Sequence, residues 1–211
     1  MELLAVQPKV EAHCFIKNPE SSALGRNMVH HGIGLIDELG FDAFTFKKLG
    51  ERIQSNESSI YRYFESKHQF LQYIAQHYWA WLEYRLVFET HNLAQPKHKL
   101  LQAIRLVTQE VEDDAHTQHI NERLLHRVMV KEFGKIWTQF NSGAKPSALT
   151  RIMERLTEMI EQAAPHYAFA SALATLLIEG GHFQTDGEQQ ANQPSAKTDF
   201  FIDLFERSLH L

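Results

Sequence analysis

Between Thr45 and Lys67 the chain reads TFKKLGERIQSNESSIYRYFESK, which dictates two short helices, a tight polar turn and the start of a third helix. Thr45 is an N-cap residue, and Phe44 before it with Leu49 after it form a hydrophobic staple. Leu49 and Ile53 stack one turn apart and face inward. The turn Gln54-Ser55-Asn56 is polar; Asn56 caps the second helix, and Glu57 suits the positive end of its dipole. In that helix Ile60 and Phe64 share the buried face, with Ser58 and Arg62 opposite them, Ser59 and Tyr61 alongside, and Tyr63 nearer the edge. Ser66-Lys67-His68-Gln69 has the form of a capping box.

A short helix that hides two residues and displays Ser58, Ser59, Tyr61, Arg62 and Tyr63 is built to touch something. Its form is that of a helix-turn-helix, whose second helix enters the DNA major groove. The spacing alone equally fits a surface helix in an ordinary bundle. The segment from about Leu24 to Phe88 resembles the DNA-binding region of TetR-type transcriptional regulators. The likeness is most specific at Ile60-Tyr61-Arg62-Tyr63-Phe64-Glu65-Ser66-Lys67, which is similar to that family's Leu-Tyr-x-(His or Tyr)-Phe-x-x-Lys signature. Two positions depart, Gln54 where a turn glycine is usual and Ser55 where Val is usual. Gln occupies a left-handed conformation only at a cost.

The resemblance implies DNA contact at Thr45, Tyr61, Tyr63 and Lys67; Arg62 joins them from its place opposite Ile60. The expected DNA-binding set is Thr45, Lys47, Ser58, Ser59, Tyr61, Arg62, Tyr63 and Lys67, with Thr45, Lys47 and Lys67 on phosphates. Charge agrees. The net value is −5, but Ala43–His68 carries five Lys or Arg against three acids, leaving −7 for the remainder. A locally basic head on an acidic body suits a protein that touches DNA at one end.

The expected fold is all-α, a three-helix head followed by a helical bundle body, about nine helices in all. Residues 1–21 read as an arm, 22–68 as the helix-turn-helix region and 69–211 as a ligand-binding and dimerisation body. The first helix, about Ser22 to Leu39, ends at Gly40. The fourth, from Ser66 to about Glu89, is too long to serve only the head and reads as a bridge to the body. It is rich in aromatics, and its expected partners in a ligand pocket are Tyr78, Trp81 and Arg85, facing His126, Met129, Phe133 and Trp137. Such a lining suits a mainly apolar small molecule with a polar or anionic end.

Further helices are expected to open at Pro96, Pro146 and Pro165, and Thr198 to cap the last. The two closing helices are strongly apolar, which points to a subunit interface. The resemblance implies the same, since that family dimerises through its last two helices. Leu173, Leu176, Leu177, Phe201 and Leu204 are the expected contacts. Cys14 alone excludes an internal disulfide, the N-terminus has no signal-peptide pattern, and no apolar run is long enough for a membrane span. A cytoplasmic homodimer binding a palindromic duplex operator and a small-molecule effector is expected, without cofactor or metal. The alternative is an all-helical metal-dependent or small-molecule enzyme, with His116 and His119 three residues apart as its best ligands. Against it, the chain has no glycine-rich phosphate loop, no G-x-S-x-G and no Glu-x-x-His repeat.

Overall fold

The computed structural model describes residues 10–111, 120–136, 147–182 and 196–210. Among them the regular elements are helices, and no strand occurs. They are α1 (Ala23–Leu39), α2 (Phe46–Arg52), α3 (Glu57–Tyr61), α4 (Lys67–Thr90), α5 (Pro96–Thr108), α6 (Glu122–Lys131), α7 (Ser147–Ala163), α8 (Ala170–His182) and α9 (Ala196–Leu209). Short 3-10 turns at Ala12–Cys14 and Pro19–Ser21 precede α1, and a helical stretch at 133–136 follows α6. The chain forms two compact units, one of residues 1–78 with 111–143, the other of residues 79–110 with 144–211.

The first unit is organised by caps and rings. Ser22 Oγ accepts from Gly25 N to start α1, and Gly40, at φ 75°, ends it. The left-handed dihedral there suits a residue without Cβ. Phe44, Phe64 and Phe70 are fully buried; Phe44 stacks on Phe70 at 5.5 Å, and Phe64 meets Phe70 edge-on at 5.0 Å. Offset and edge-to-face pairs of this kind add to the burial of the rings themselves. Helix α6 lies along α1, and its cations Arg127 and Lys131 both donate to the Asp37 carboxylate. One turn on, the buried Glu132 accepts from Phe41 N at 2.9 Å and pairs with Lys135, which also reaches Asp42.

In the second unit, α5, α7, α8 and α9 pack on one another. Trp79 is fully buried, its ring 4.8 Å from that of the equally buried His182, whose Nδ1–H donates to Ile178 O. Thr108 Oγ1 donates to Thr198 Oγ1 across α5 and α9. Arg151 forms a two-pronged ion pair with Glu83. Two local expectations are corrected here. Helix α8 begins at Ala170, not after Pro165, because Tyr167 N bonds back to Ala164 O in a turn first. Thr198 is a buried interior residue of α9, its hydroxyl spent on Thr108 and not on a cap.

Candidate nucleic-acid interface

Helix α2 starts where its cap places it. Thr45 Oγ1 accepts from Lys48 N at 3.2 Å, leaving its own O–H free to donate outward. Phe46, Leu49 and Gly50 are buried, so Lys47 and Lys48 take the exposed side. Lys48 turns back onto Ala43 O, and Arg52 forms a bidentate pair with Glu38. That pairing raises the Arg52 pKa and lowers that of Glu38.

The turn to α3 is tight. Gln54 stands at φ 53°, in the left-handed region. Ser55 N donates to Gly50 O at 2.9 Å, and a Cβ on Gly50 would lie 2.7 Å from Ser55 O. The glycine that lets this turn close is thus Gly50 within α2, while Gln54 bears the strained dihedral.

Asn56 Oδ1 caps α3 by accepting from Ser59 N at 2.9 Å, and it also accepts from the Ser58 and Ser59 hydroxyls at 2.8 and 2.6 Å. Three donors crowd one oxygen, so each hydroxyl can be exchanged for an outside partner at little cost. Of the five residues of α3, only Ile60 is buried. Tyr61 is 49% exposed, held by an edge-on contact with Phe46 at 5.1 Å. Arg62 follows at the C-cap and is exposed. Ser58, Tyr61 and Arg62 are thus exposed and Ser59 partly so, as Thr45 and Lys47 are exposed at the start of α2.

Two further expected members bond within the chain. Tyr63 is only 4% exposed, with its hydroxyl 2.8 Å from Ser22 Oγ. Helix α3 ends at Tyr61, so the helical period that would carry Tyr63 to the exposed edge no longer applies. The Ser22 hydrogen bond, with Lys17 and Arg62 nearby, lowers the Tyr63 pKa. Lys67 Nζ donates to Phe41 O, Asp42 O and Phe44 O at 3.1, 3.1 and 3.3 Å and sits 4.7 Å above the Phe41 ring. An ammonium has three donors, and all three here tie the α1–α2 turn to the start of α4.

The expected pocket residues fall in both units. In the first, Tyr78 OH lies 2.9 Å from His126 Nδ1, and Met129 and Phe133 are buried. In the second, Arg85 stands 5.2 Å from the Trp81 ring. Its Nε and Nη2 both donate to Glu89 Oε1, and Gln102 donates to the other oxygen. Trp137 lies outside the described residues, as do His116 and His119. Among the described residues no three His, Cys, Asp or Glu side chains are grouped as metal ligands.

The expected dimer contacts divide too. Leu173, Leu177 and Phe201 are buried within their own unit, and the Phe201 ring occupies the space beside Gly180, 2.5 Å from where a Cβ would stand. Leu204 is half-buried. Leu176 is 47% exposed, and Phe169 and Phe200 are more so.

What sequence reasoning missed is the clamp on α1. Its signal was present: Arg127, Lys131 and Lys135 recur every four residues along one helix face, matched by Asp37 and Asp42 around the end of α1.

Comparison with known proteins agrees with this geometry. Residues 30–74 match the model of the family "Bacterial regulatory proteins, tetR family". No curated protein sequence matches the chain. Among solved structures, AibR in complex with isovaleryl coenzyme A and operator DNA is similar at a TM-score of 0.60 and 14% identity. That match covers 85% of this chain and 97% of AibR. Apo AibR is similar at a TM-score of 0.56 and 14% identity, covering 85% and 96%. No helix among the described residues is long and apolar enough to cross a membrane.

Proposed function

We propose that this chain, a TetR-type DNA-binding regulator by its residues 30–74, is a homodimeric repressor released from its operator by a small-molecule effector. The observation that carries the reading is α3, which buries Ile60 alone and turns Ser58, Ser59, Tyr61 and Arg62 outward. In this reading residues 22–68 face the duplex. Thr45 and Lys47 hold phosphates, and the α3 residues read base edges in the major groove. Arg62 suits the O6 and N7 acceptors of guanine. The Asn56-bound hydroxyls of Ser58 and Ser59 suit either donors or acceptors.

Dimerisation is supported by Leu176 on α8 and Phe200 on α9, large apolar side chains exposed in the single chain, with Phe169 just before α8. AibR, which shares the fold, binds operator DNA and isovaleryl coenzyme A, and this supports an effector for the present chain. Moving a regulator from mostly bound to mostly released takes about 5 kcal/mol of differential affinity, so the effector must be largely buried. Regulators of this kind work where the chromosome is, which places the protein in the cytoplasm.

The test is selection of bound sequences from a random duplex pool, followed by sedimentation of the complex. A two-fold symmetric consensus bound by two chains is the expected result. Recovery of no sequence preference at any salt concentration would refute the reading.

A further inference from the structure

The segment before α1 is not an idle tail. Cys14 is fully buried, and burial together with the Glu11 charge raises its thiol pKa to about 11, so it is a packing group and not a reactive one. Glu11 N donates to Gln76 Oε1, and Gln69 Nε2 donates to His13 O, which fixes this stretch along α4. Ile16 N donates to Tyr63 O at 2.7 Å, in the two residues that follow α3. Phe15 meets Tyr73 edge-on at 6.1 Å. Past the Asn18 cap, Pro19 is buried against α1 so closely that a Cβ on Gly25 would stand 2.2 Å from Pro19 O. The segment is thus anchored on both sides of the exposed stretch Ile16–Asn18, which carries Lys17.

Lys17 Nζ lies 5.0 Å from the centre of the Tyr63 ring, directly beside the end of the reading helix. Arg62 is the next residue along, and both cations are exposed. The carboxylates of the segment are turned elsewhere: Glu20 accepts from Tyr73 OH, and Glu11 pairs with His13. Among the described residues no carboxylate is paired with Lys17.

We propose that residues 10–22 form a third element of the DNA-binding surface, with Lys17 as a backbone-phosphate contact that extends the footprint beyond α2 and α3. The inference rests on the DNA-binding reading above and adds to it a residue outside the helix-turn-helix. An exposed cation that no described carboxylate neutralises gains much from a polyanion, since each neutralised phosphate releases bound counterions. The anchoring matters because a phosphate contact from a preordered loop loses little conformational freedom on binding. The Tyr63 ring, which is buried, acts here as the platform that positions Lys17.

The experiment is anisotropy titration of the full-length protein on a selected operator and on an unrelated duplex, between about 50 and 200 mM salt. Lys17→Ala should weaken both duplexes alike, severalfold. It should also lower the slope of log affinity against log salt by about 0.9 per chain bound, with unchanged thermal unfolding. Lys17→Arg should keep the slope, and Gly25→Ala, which pushes Pro19 away, should lose it as Lys17→Ala does. Lys47→Ala serves as the internal reference. If Lys47→Ala lowers the slope while Lys17→Ala keeps the parent's slope and affinity, the segment is no part of the surface, and the DNA-binding reading stands without it. If the parent binds no duplex, both fall together.

Discussion

Replacing Asp37 by Asn tests whether the clamp between α1 and α6 is electrostatic. The Asp37 carboxylate is 12% exposed and accepts from Lys131 at 2.9 Å and from Arg127, while those cations remain 41% and 47% exposed. A charge-assisted bond in a dry site is worth about 1.5–3 kcal/mol, but cations half in water and screened by salt reduce each to about 1 or less. The pair together should therefore contribute roughly 1–2 kcal/mol near neutral pH. Burial acts to raise the Asp37 pKa, but the bonds from Lys131 and Arg127 outweigh it, and the net shift is downward. A carboxylate whose folded value lies below its unfolded one stabilises the fold while ionised, and that stability is lost as pH falls through the folded value. The gap between parent and Asp37→Asn should be widest above the ordinary aspartate range and should shrink as the medium falls through that range toward the lower folded value. Urea denaturation across that range measures it. Hydrogen exchange should show the loss concentrated in α6 and the end of α1. A gap that keeps its full size as the medium is acidified through and below the ordinary aspartate range would refute the electrostatic account and leave shape alone as the cause.

Three further outcomes are expected. Lys67→Met should cost about 1–3 kcal/mol by removing three bonds that tie the α1–α2 turn to α4, yet leave the salt slope of duplex binding unchanged; Lys47→Ala should do the reverse, and a lowered slope in Lys67→Met would place Lys67 on the phosphates. Ile60→Ala should destabilise the first unit by about 2–5 kcal/mol, since a five-residue helix has no stability of its own; a melting temperature equal to the parent's would show that α3 is held otherwise. Leu176→Arg replaces an exposed side chain, so the single chain should fold unharmed while the dimer is lost in sedimentation; an undisturbed dimer would move the interface elsewhere.

How much of this was legible depended on how far each partner lies along the chain. Caps are local. Thr45 and Asn56 bond to amides three residues on, and the sequence carries both ends of each bond. Ile60 and Phe64 are also legible, because a face four residues wide leaves little choice. The carbonyl partners of Lys67 were not legible, because they lie 23 to 26 residues earlier, in a turn whose path the sequence does not disclose. The burial of Tyr63 was hidden for a similar reason: helix α3 stops two residues short, and Ser22 lies 41 residues away. Leu177 and Phe201 show a different limit. An apolar side chain records that it avoids water and not whose atoms cover it, so a residue of the chain's own core and one at a subunit contact read alike.

The clamp on α1 also bears on how such regulators could be recombined. Residues 22–68 look like a cassette that could be cut out and spliced to a different sensor, giving new control over the same operator. Here Asp37 and Asp42 would lose the cations that answer them, and Phe41 N would lose the Glu132 carboxylate, all supplied from residues 127–135. A transplant that carries α6 along with the head keeps these complements. One that stops at residue 68 leaves two acids and a backbone amide to find partners in a foreign chain.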